Sequence, residues 1–416
     1  MFKKRITPFA CIVITLLACV ATFVAVYSAS EIKHKQEIND IRLEAAEYGA
    51  YEDFFELVGD NTDKHTKLAQ MIAMIEGYYI HDYDENLVWE NIYKSLVESI
   101  ADDYGQYLTA EEYEALIDSA DGDFVGIGVH ATFDVDTEGV YIFGVIPNSP
   151  AELAGLQKGD IIVSAEGIES SEESYYKLLD SVRGEAGTEV SLTVLRGEEK
   201  IDFKIKRQAV AAENVFYEKL ENNIGYIRIL SFADESVSEE FTKKLALAQS
   251  EGCKKFIFDV RNNTGGYLNE ICDVLDLLLP EGPIINIVDK NGTTKTQNSD
   301  ANCIQAEMTV LCNGNTASAA ELFTAALRDY ELAEIIGTTT FGKGTMQTTR
   351  YLVDGSTLKL SSAFYNPPSN ISYDKIGIKP DYEITLSEEW ENRFFKMPNE
   401  EDTQLQKAIE LLNATK

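Results

Sequence analysis

Short apolar runs alternating with amphipathic segments from Asn223 onward constrain this chain more than any other feature. Ile224–Ile229, Lys255–Val260, Met308–Cys312 and Ala333–Gly337 read as strands, with Ser236–Ala248, Tyr267–Leu279 and Ser318–Asp329 as helices between them. A repeated βα unit favours parallel pairing with right-handed crossovers, because a twisted strand feeding a helix packs back onto its sheet only in that hand. Functional groups in such sheets gather beyond the carboxyl ends of the strands. Two turns fall there: Gly265-Gly266, and N-G-N-T-A-S-A-A-E from Asn313 to Glu321. The chain then turns antiparallel. Thr345–Val353 and Thr357–Ala363 flank Asp354-Gly355-Ser356, a hairpin signal, and Gln404–Leu412 reads as a last amphipathic helix.

Upstream, residues 121–207 change character. Gly126–Phe133, Tyr141–Val145 and Ile161–Ser164 read as strands, and Val190–Arg196 with Lys200–Lys206 as a hairpin. A short helix opens at Asn148-Ser149-Pro150-Ala151 and ends near Gly155, and Ser171–Val182 reads as an amphipathic helix. Residues 31–120 are helical in pattern, with apolar spacing of three and four over Thr66–Tyr79 and Leu87–Ile100. Those faces serve packing or self-association, with a homodimer as the candidate assembly. His81 sits near Asp82 and Asp84 but has no second ligand cluster, so no metal is expected.

Lys3, Lys4 and Arg5 precede an uncharged run with an apolar core from Phe9 to Tyr27, 19 residues long. That length spans a bilayer, and the leading positive charges stay cytoplasmic. The expectation is a single-pass cell-membrane anchor with the rest extracytoplasmic. The rival is a cleaved signal peptide ending at Tyr27-Ser28-Ala29-Ser30. A net charge of -34 over 416 residues argues against nucleic acid as a partner. Cys253, Cys272, Cys303 and Cys312 match no zinc spacing; export permits their oxidation, but three lie on or beside apolar elements and suit buried thiols. The boundaries read as 1–30 stub and anchor, 31–120 helical, 121–207, 208–387, and 388–416 tail.

All four histidines, His34, His65, His81 and His130, precede the βα region. A serine nucleophile within it therefore needs another base, and a desolvated lysine is the established substitute. Ser318 follows a strand through a small-residue turn, although with Glu321 it also fits a capping box. Lys343 lies between Gly342 and Gly344, and Gln347 follows at an even spacing, so on a strand both face one side. A neutral Lys343 would take the Ser318 proton and return it to the leaving amine, with the Gln347 amide orienting it. The backbone N–H groups of Gly266 and Ala319 are candidates for the oxyanion hole. A phosphate loop over Gly337–Lys343 fails, because Gly344 stands where Ser or Thr should bind magnesium and a strand follows where a helix should.

Residues 121–207 resemble a bacterial-type PDZ domain through F-V-G-I-G-V, N-S-P-A-E-L-A-G-L-Q-K-G-D-I-I and V-R-G-E-A-G-T. The resemblance implies capture of a peptide C-terminus by strand addition, its carboxylate held by the amides of Gly126, Ile127 and Gly128. A dinucleotide fingerprint is excluded, because the third glycine is absent. The segments F-I-F-D-V-R-N-N-T-G-G-Y-L-N-E, N-G-N-T-A-S-A-A-E, T-F-G-K-G-T-M-Q, D-G-S-T-L-K-L and G-I-K-P-D resemble the carboxyl-terminal processing (tail-specific) proteases. With the PDZ-like part, the resemblance covers about residues 63–381. It implies an α/β and α+β multidomain chain with a crotonase-like βα-repeat core. It also implies a serine endopeptidase without cofactor, acting on exposed protein C-termini with small apolar residues near the cut. Ser318 would be nucleophile, Lys343 base and Gln347 its partner, with Gly266 and Ala319 as oxyanion donors. Arg183 is a candidate for a gating contact from the PDZ side. Two departures stand out: Thr264 where proline is usual, and Asn315-Thr316 where Gly-Ser is usual. The rival from another class is a catalytically silent, tethered PDZ scaffold.

Overall fold

The computed structural model describes residues 62–121, 125–211 and 213–414. The apolar run expected to anchor the chain lies outside the described residues; among these, no helix is long and apolar enough to cross a membrane. One compact unit comprises the described residues up to Tyr113 together with Thr349–Lys359, and the other Glu114–Thr348 with Leu360 onward.

In the first unit, the helix Glu85–Glu98 starts on Asp84, whose carboxylate accepts the Leu87 N–H at 3.1 Å. A short strand, Gln106–Leu108, pairs antiparallel with Thr357–Lys359. Met71, Met74, Tyr78, Leu96 and Ile100 remain exposed on or beside the helices Thr62–Tyr78 and Glu85–Glu98.

The second unit is built on a six-stranded sheet in the order Val215–Leu220, Ile224–Ile229, Lys255–Asp259, Glu307–Cys312, Ala333–Gly337 and Tyr382–Glu383. The first pair is antiparallel and every later pair parallel. Because the parallel strands are laid down in one direction, right-handed crossovers put their helices on one face. Val237–Ser250, Leu268–Asp276 and Ala319–Asp329 pack there on Ile227, Phe256, Phe258, Val310 and Ile335. The alternate residues Ile224, Tyr226, Ile257, Leu311 and Ile336 face the other way and are covered by Leu405, Ala408 and Leu412 of the helix Thr403–Ala414. Period-two alternation with apolar residues on both faces is what a parallel sheet covered on both sides requires.

The PDZ-like part is a sheet in the order Val129–Asp134, Gly139–Val145, Ile161–Ala165, Glu189–Arg196 and Glu199–Lys206, with the helix Tyr175–Val182 against it. Val129–Asp134 ends this sheet. Its side toward the core is fastened by the tail: Lys396 pairs with Asp134 at 2.6 Å, Arg393 with Asp136 at 2.6 Å, and Phe395 stacks on Phe143 at 4.0 Å.

Three elements differ from expectation. The helix expected from Ser171 begins at Tyr175, because the Ser171 and Ser174 hydroxyls bond neighbouring backbone groups instead. The strand expected over Gly126–Phe133 breaks at Ile127-Gly128, where Gly128 takes a φ of 82°. The stretch between Leu279 and Met308 holds an unexpected hairpin, Gly282–Asp289 with Thr294–Ser299.

Candidate active site

Ser318 sits where the strand Glu307–Cys312 turns into the helix Ala319–Asp329, with φ 58° and ψ −121°. Such a conformation costs a non-glycine residue about 1–3 kcal/mol and persists only where its surroundings hold it. The turn after Lys255–Asp259 supplies that hold. The Ala317 N–H bonds the Asn263 carbonyl at 2.9 Å, and the Thr316 hydroxyl bonds the Val260 carbonyl at 2.9 Å. Gly265 lies so close that a Cβ there would sit 2.6 Å from Ser318 Cβ and 2.9 Å from the Ala319 nitrogen. The Gly265-Gly266 segment therefore runs beside the start of the serine helix.

Both predicted oxyanion donors are unspent. Gly266 is bridged in parallel to Phe232 through its neighbours: Phe232 N–H bonds the Gly265 carbonyl at 2.9 Å, and Tyr267 N–H bonds the Phe232 carbonyl at 2.8 Å. That register turns the Gly266 amide out of the ladder. Neither it nor the Ala319 N–H has an acceptor among the described residues. The Ala319 amide also lies at the first turn of a helix, where the backbone dipoles favour negative charge.

The Lys343 turn is brought to Ser318 by a buried carboxylate. Glu321 is fully buried. Its two oxygens accept the Ser318 N–H at 2.9 Å, the Lys343 N–H at 2.8 Å, the Gly342 N–H at 2.7 Å and the Thr340 hydroxyl at 2.6 Å. Burial pushes this carboxyl above its ordinary range, against the downward pull of those four bonds. The backbones of Ser318 and Lys343 are thus two hydrogen-bond lengths apart through one oxygen. On the outer side of the turn, Lys375 N–H bonds the Gly342 carbonyl at 2.7 Å, and the Asp374 carboxylate accepts the Gly344 N–H at 3.0 Å. Lys343 itself is half-buried.

Tyr365 closes the group from the strand Thr357–Asn366. Its hydroxyl lies 3.0 Å from Ser318 Oγ and 2.6 Å from the Lys343 carbonyl, and its N–H bonds the Gly344 carbonyl at 3.0 Å. Gln347, on the strand Thr345–Tyr351, donates its amide N–H to the Thr345 carbonyl at 3.1 Å and the Ser361 hydroxyl at 3.2 Å. Ser318, Ala319, the glycine pair and the Lys343 turn converge; Gln347 stands one step along the following strand.

The peptide-binding candidates lie in the PDZ-like part. The Ile127 carbonyl accepts Ala151 N–H at 2.8 Å, and the Gly128 carbonyl accepts Ile146 N–H at 3.0 Å and the Ser149 hydroxyl at 3.2 Å. The Ile127 and Gly128 N–H groups have no acceptor among the described residues. Gly126 pairs with Gln208. Arg183 is exposed at the end of the helix Tyr175–Val182. The arginine that organises that end is Arg207, which donates to the Val182, Ser181 and Glu189 carbonyls.

Sequence reasoning placed the Gly265-Gly266 turn at the site but treated Glu321 only as a capping partner and passed over Tyr365. The even spacing of Lys343 and Gln347 was readable; the return of Tyr365 to the same turn depends on strand pairing, which leaves no local signal. Cysteine is not a competing nucleophile here. Cys253, Cys272, Cys303 and Cys312 are free thiols, and burial pushes the Cys272 and Cys312 thiols up to about 12. Among the described residues no group of three or more His, Cys, Asp or Glu could hold a metal ion.

Residues 223–384 match the family model for Peptidase family S41, and residues 141–196 that for a PDZ domain. A probable CtpA-like serine protease of Staphylococcus aureus (strain N315) is 33% identical over 322 residues, 76% of this chain and 64% of that relative. The chain carries a Peptidase family S41 domain and a PDZ domain. A second relative of the S41 chain, a probable CtpA-like serine protease of Staphylococcus haemolyticus (strain JCSC1435), is 31% identical over 79% of this chain and 66% of its own length. The S41 chain thus spans a little under two thirds of the curated relatives it matches. The crystal structure of a putative S41 protease from Bacteroides fragilis has the same fold, with TM-score 0.57 at 19% identity over 78% of this chain and 90% of that one. The two departures from the family pattern acquire a physical account. Asn315 Nδ2 bonds Asn262 Oδ1 at 2.9 Å and Thr316 bridges to Val260, tying the two turns by side chains, while Thr264 is exposed.

Proposed function

We propose that this chain is a membrane-anchored serine endopeptidase with its catalytic part outside the cytoplasm, cutting proteins near their C-termini. The observation that carries the reading is a strained serine flanked by two unspent backbone N–H groups, with a lysine turn pinned beside it. Ser318 Oγ attacks the peptide carbonyl while its proton passes to a neutral Lys343 Nζ. The developing oxyanion accepts hydrogen bonds from Gly266 and Ala319. The Lys343 ammonium then protonates the departing amine, and water cleaves the acyl-enzyme by the same route in reverse. Gln347, held by Ser361, orients the lysine.

A substrate tail adds as a strand along the open side of Val129–Asp134, with its carboxylate on the amides at Gly126–Gly128. Arg183 is the gating candidate on this domain. The exposed apolar residues on the N-terminal helices support self-association. The anchor and orientation rest on Phe9–Tyr27 and the three basic residues before it.

Ser318→Ala is expected to lower cleavage of an unblocked, tail-bearing peptide by on the order of 10⁴-fold or more, with the melting temperature kept. Lys343→Ala and Lys343→Arg should fail alike, because arginine stays charged and cannot accept the proton. Near-normal cleavage by Ser318→Ala leaves only a tethered peptide receptor.

A further inference from the structure

The Tyr365 hydroxyl has one proton, and two of its partners belong to the site, the Lys343 carbonyl and Ser318 Oγ. The Lys343 carbonyl, 2.6 Å away, can only accept. Ser318 Oγ, 3.0 Å away, can accept or donate. The same heavy atoms therefore support two proton arrangements. In one, the phenol donates to the Lys343 carbonyl, and Ser318 must donate its own proton to the phenol oxygen, away from any base. In the other, the phenol donates to Ser318 Oγ, which frees the serine proton for an acceptor elsewhere.

We propose that Tyr365 is a further catalytic residue: its hydroxyl swings from the Lys343 carbonyl to Ser318 Oγ as that oxygen attacks, and stabilises the charge gathering on it. The proposal rests on the Ser318–Lys343 reading. The phenolic proton never leaves Tyr365 and only its acceptor changes. The serine proton goes to Lys343 Nζ, and when Ser318 Oγ departs in deacylation the phenol supports it again until the ammonium returns the proton. The tyrosine is built for precision. It is 6% exposed, its ring meets Tyr373 edge-on at 6.0 Å, and its backbone N–H is fixed on the Gly344 carbonyl.

Tyr365→Phe keeps the ring and the backbone bond and removes only the swinging group. In the full chain, on one tail-bearing peptide, kcat is expected to fall about 10- to 100-fold with KM within about twofold, as for loss of one hydrogen bond to a charged oxygen. The rising limb of the pH–rate profile, set by the lysine, stays where it is. Labelling of Ser318 by a fluorophosphonate, which involves no amine leaving group, slows in parallel. Wild-type kcat in Tyr365→Phe overturns the proposal, and so does a loss accompanied by a displaced pH limb, which marks a tyrosine that merely props the lysine turn. Ser318→Ala run beside it separates the two levels. If that variant still cleaves, the serine reading falls; if it is dead while Tyr365→Phe is unimpaired, only the tyrosine inference falls.

Discussion

Glu321 shows how much of the site is fixed by one side chain that never meets a substrate. Four donors from two segments converge on its carboxylate. Replacing it by glutamine leaves one acceptor oxygen and turns an NH₂ group toward other N–H groups. Glu321→Gln is expected to cost about 2–4 kcal/mol, the penalty for one or two buried donors left unpaired. Thermal denaturation measures that loss, and kcat/KM should fall with it as the lysine turn loosens. Unchanged stability would show that water fills the gap. Ser318 and Lys343 were legible because a half-chain without histidine leaves few bases, and because glycines frame the lysine. Glu321 was visible only as the third residue after a possible helix cap. Tyr365 was not visible at all, since a tyrosine at a strand end has a packing role by default.

The strand Val129–Asp134 is shared between two jobs. One edge has no partner strand among the described residues, the edge on which we propose that a tail adds, while His130 is wedged against Phe143 at 5.8 Å and Phe216 of the neighbouring core strand at 5.2 Å. Its Nε2 is buried without a partner. Burial pushes the imidazole below its ordinary value, against the opposing pull of Glu213, itself paired with Lys244 at 2.7 Å. A group depressed in this way supports the folded arrangement fully above its unfolded value, about 6.5, and withdraws that support as pH falls through its folded value. The melting temperature should therefore drop more steeply between pH 7 and pH 5 in the wild type than in His130→Phe, by a few degrees. Parallel curves would show that His130 keeps its proton balance on unfolding. These strands were readable as strands in the sequence, apart from the break at Ile127-Gly128. The docking was not, because it joins segments more than 200 residues apart through Phe395, Lys396 and Arg393.

At the scale of the whole molecule, the tail is part of the core. Arg261 is entirely buried, pairing with Asp259 and with Asp402 at 2.7 Å each and bonding Gln404 at 2.9 Å. Burial alone would raise the Asp259 carboxyl, but Arg261 and Arg228 hold it well below the usual carboxylate range. Asp402→Ala leaves part of that guanidinium charge uncompensated, and about 3–5 kcal/mol of stability should be lost, as read from urea denaturation. The βα repeat announced the sheet and its three crossover helices. It could not announce that the bare second face would be covered from residues 403–414, since a final amphipathic helix fits many partners. The same feature has a temporal side. While a ribosome is still extending the chain, the finished strands carry one oily side with nothing laid on it. Arg261, two positions ahead of Asn263, has Asp259 from the start but waits for Asp402 until translation has passed residue 402. Until then the turn that carries Gly265-Gly266 beside Ser318 lacks the anchor that Asp402 and Gln404 give it in the finished chain.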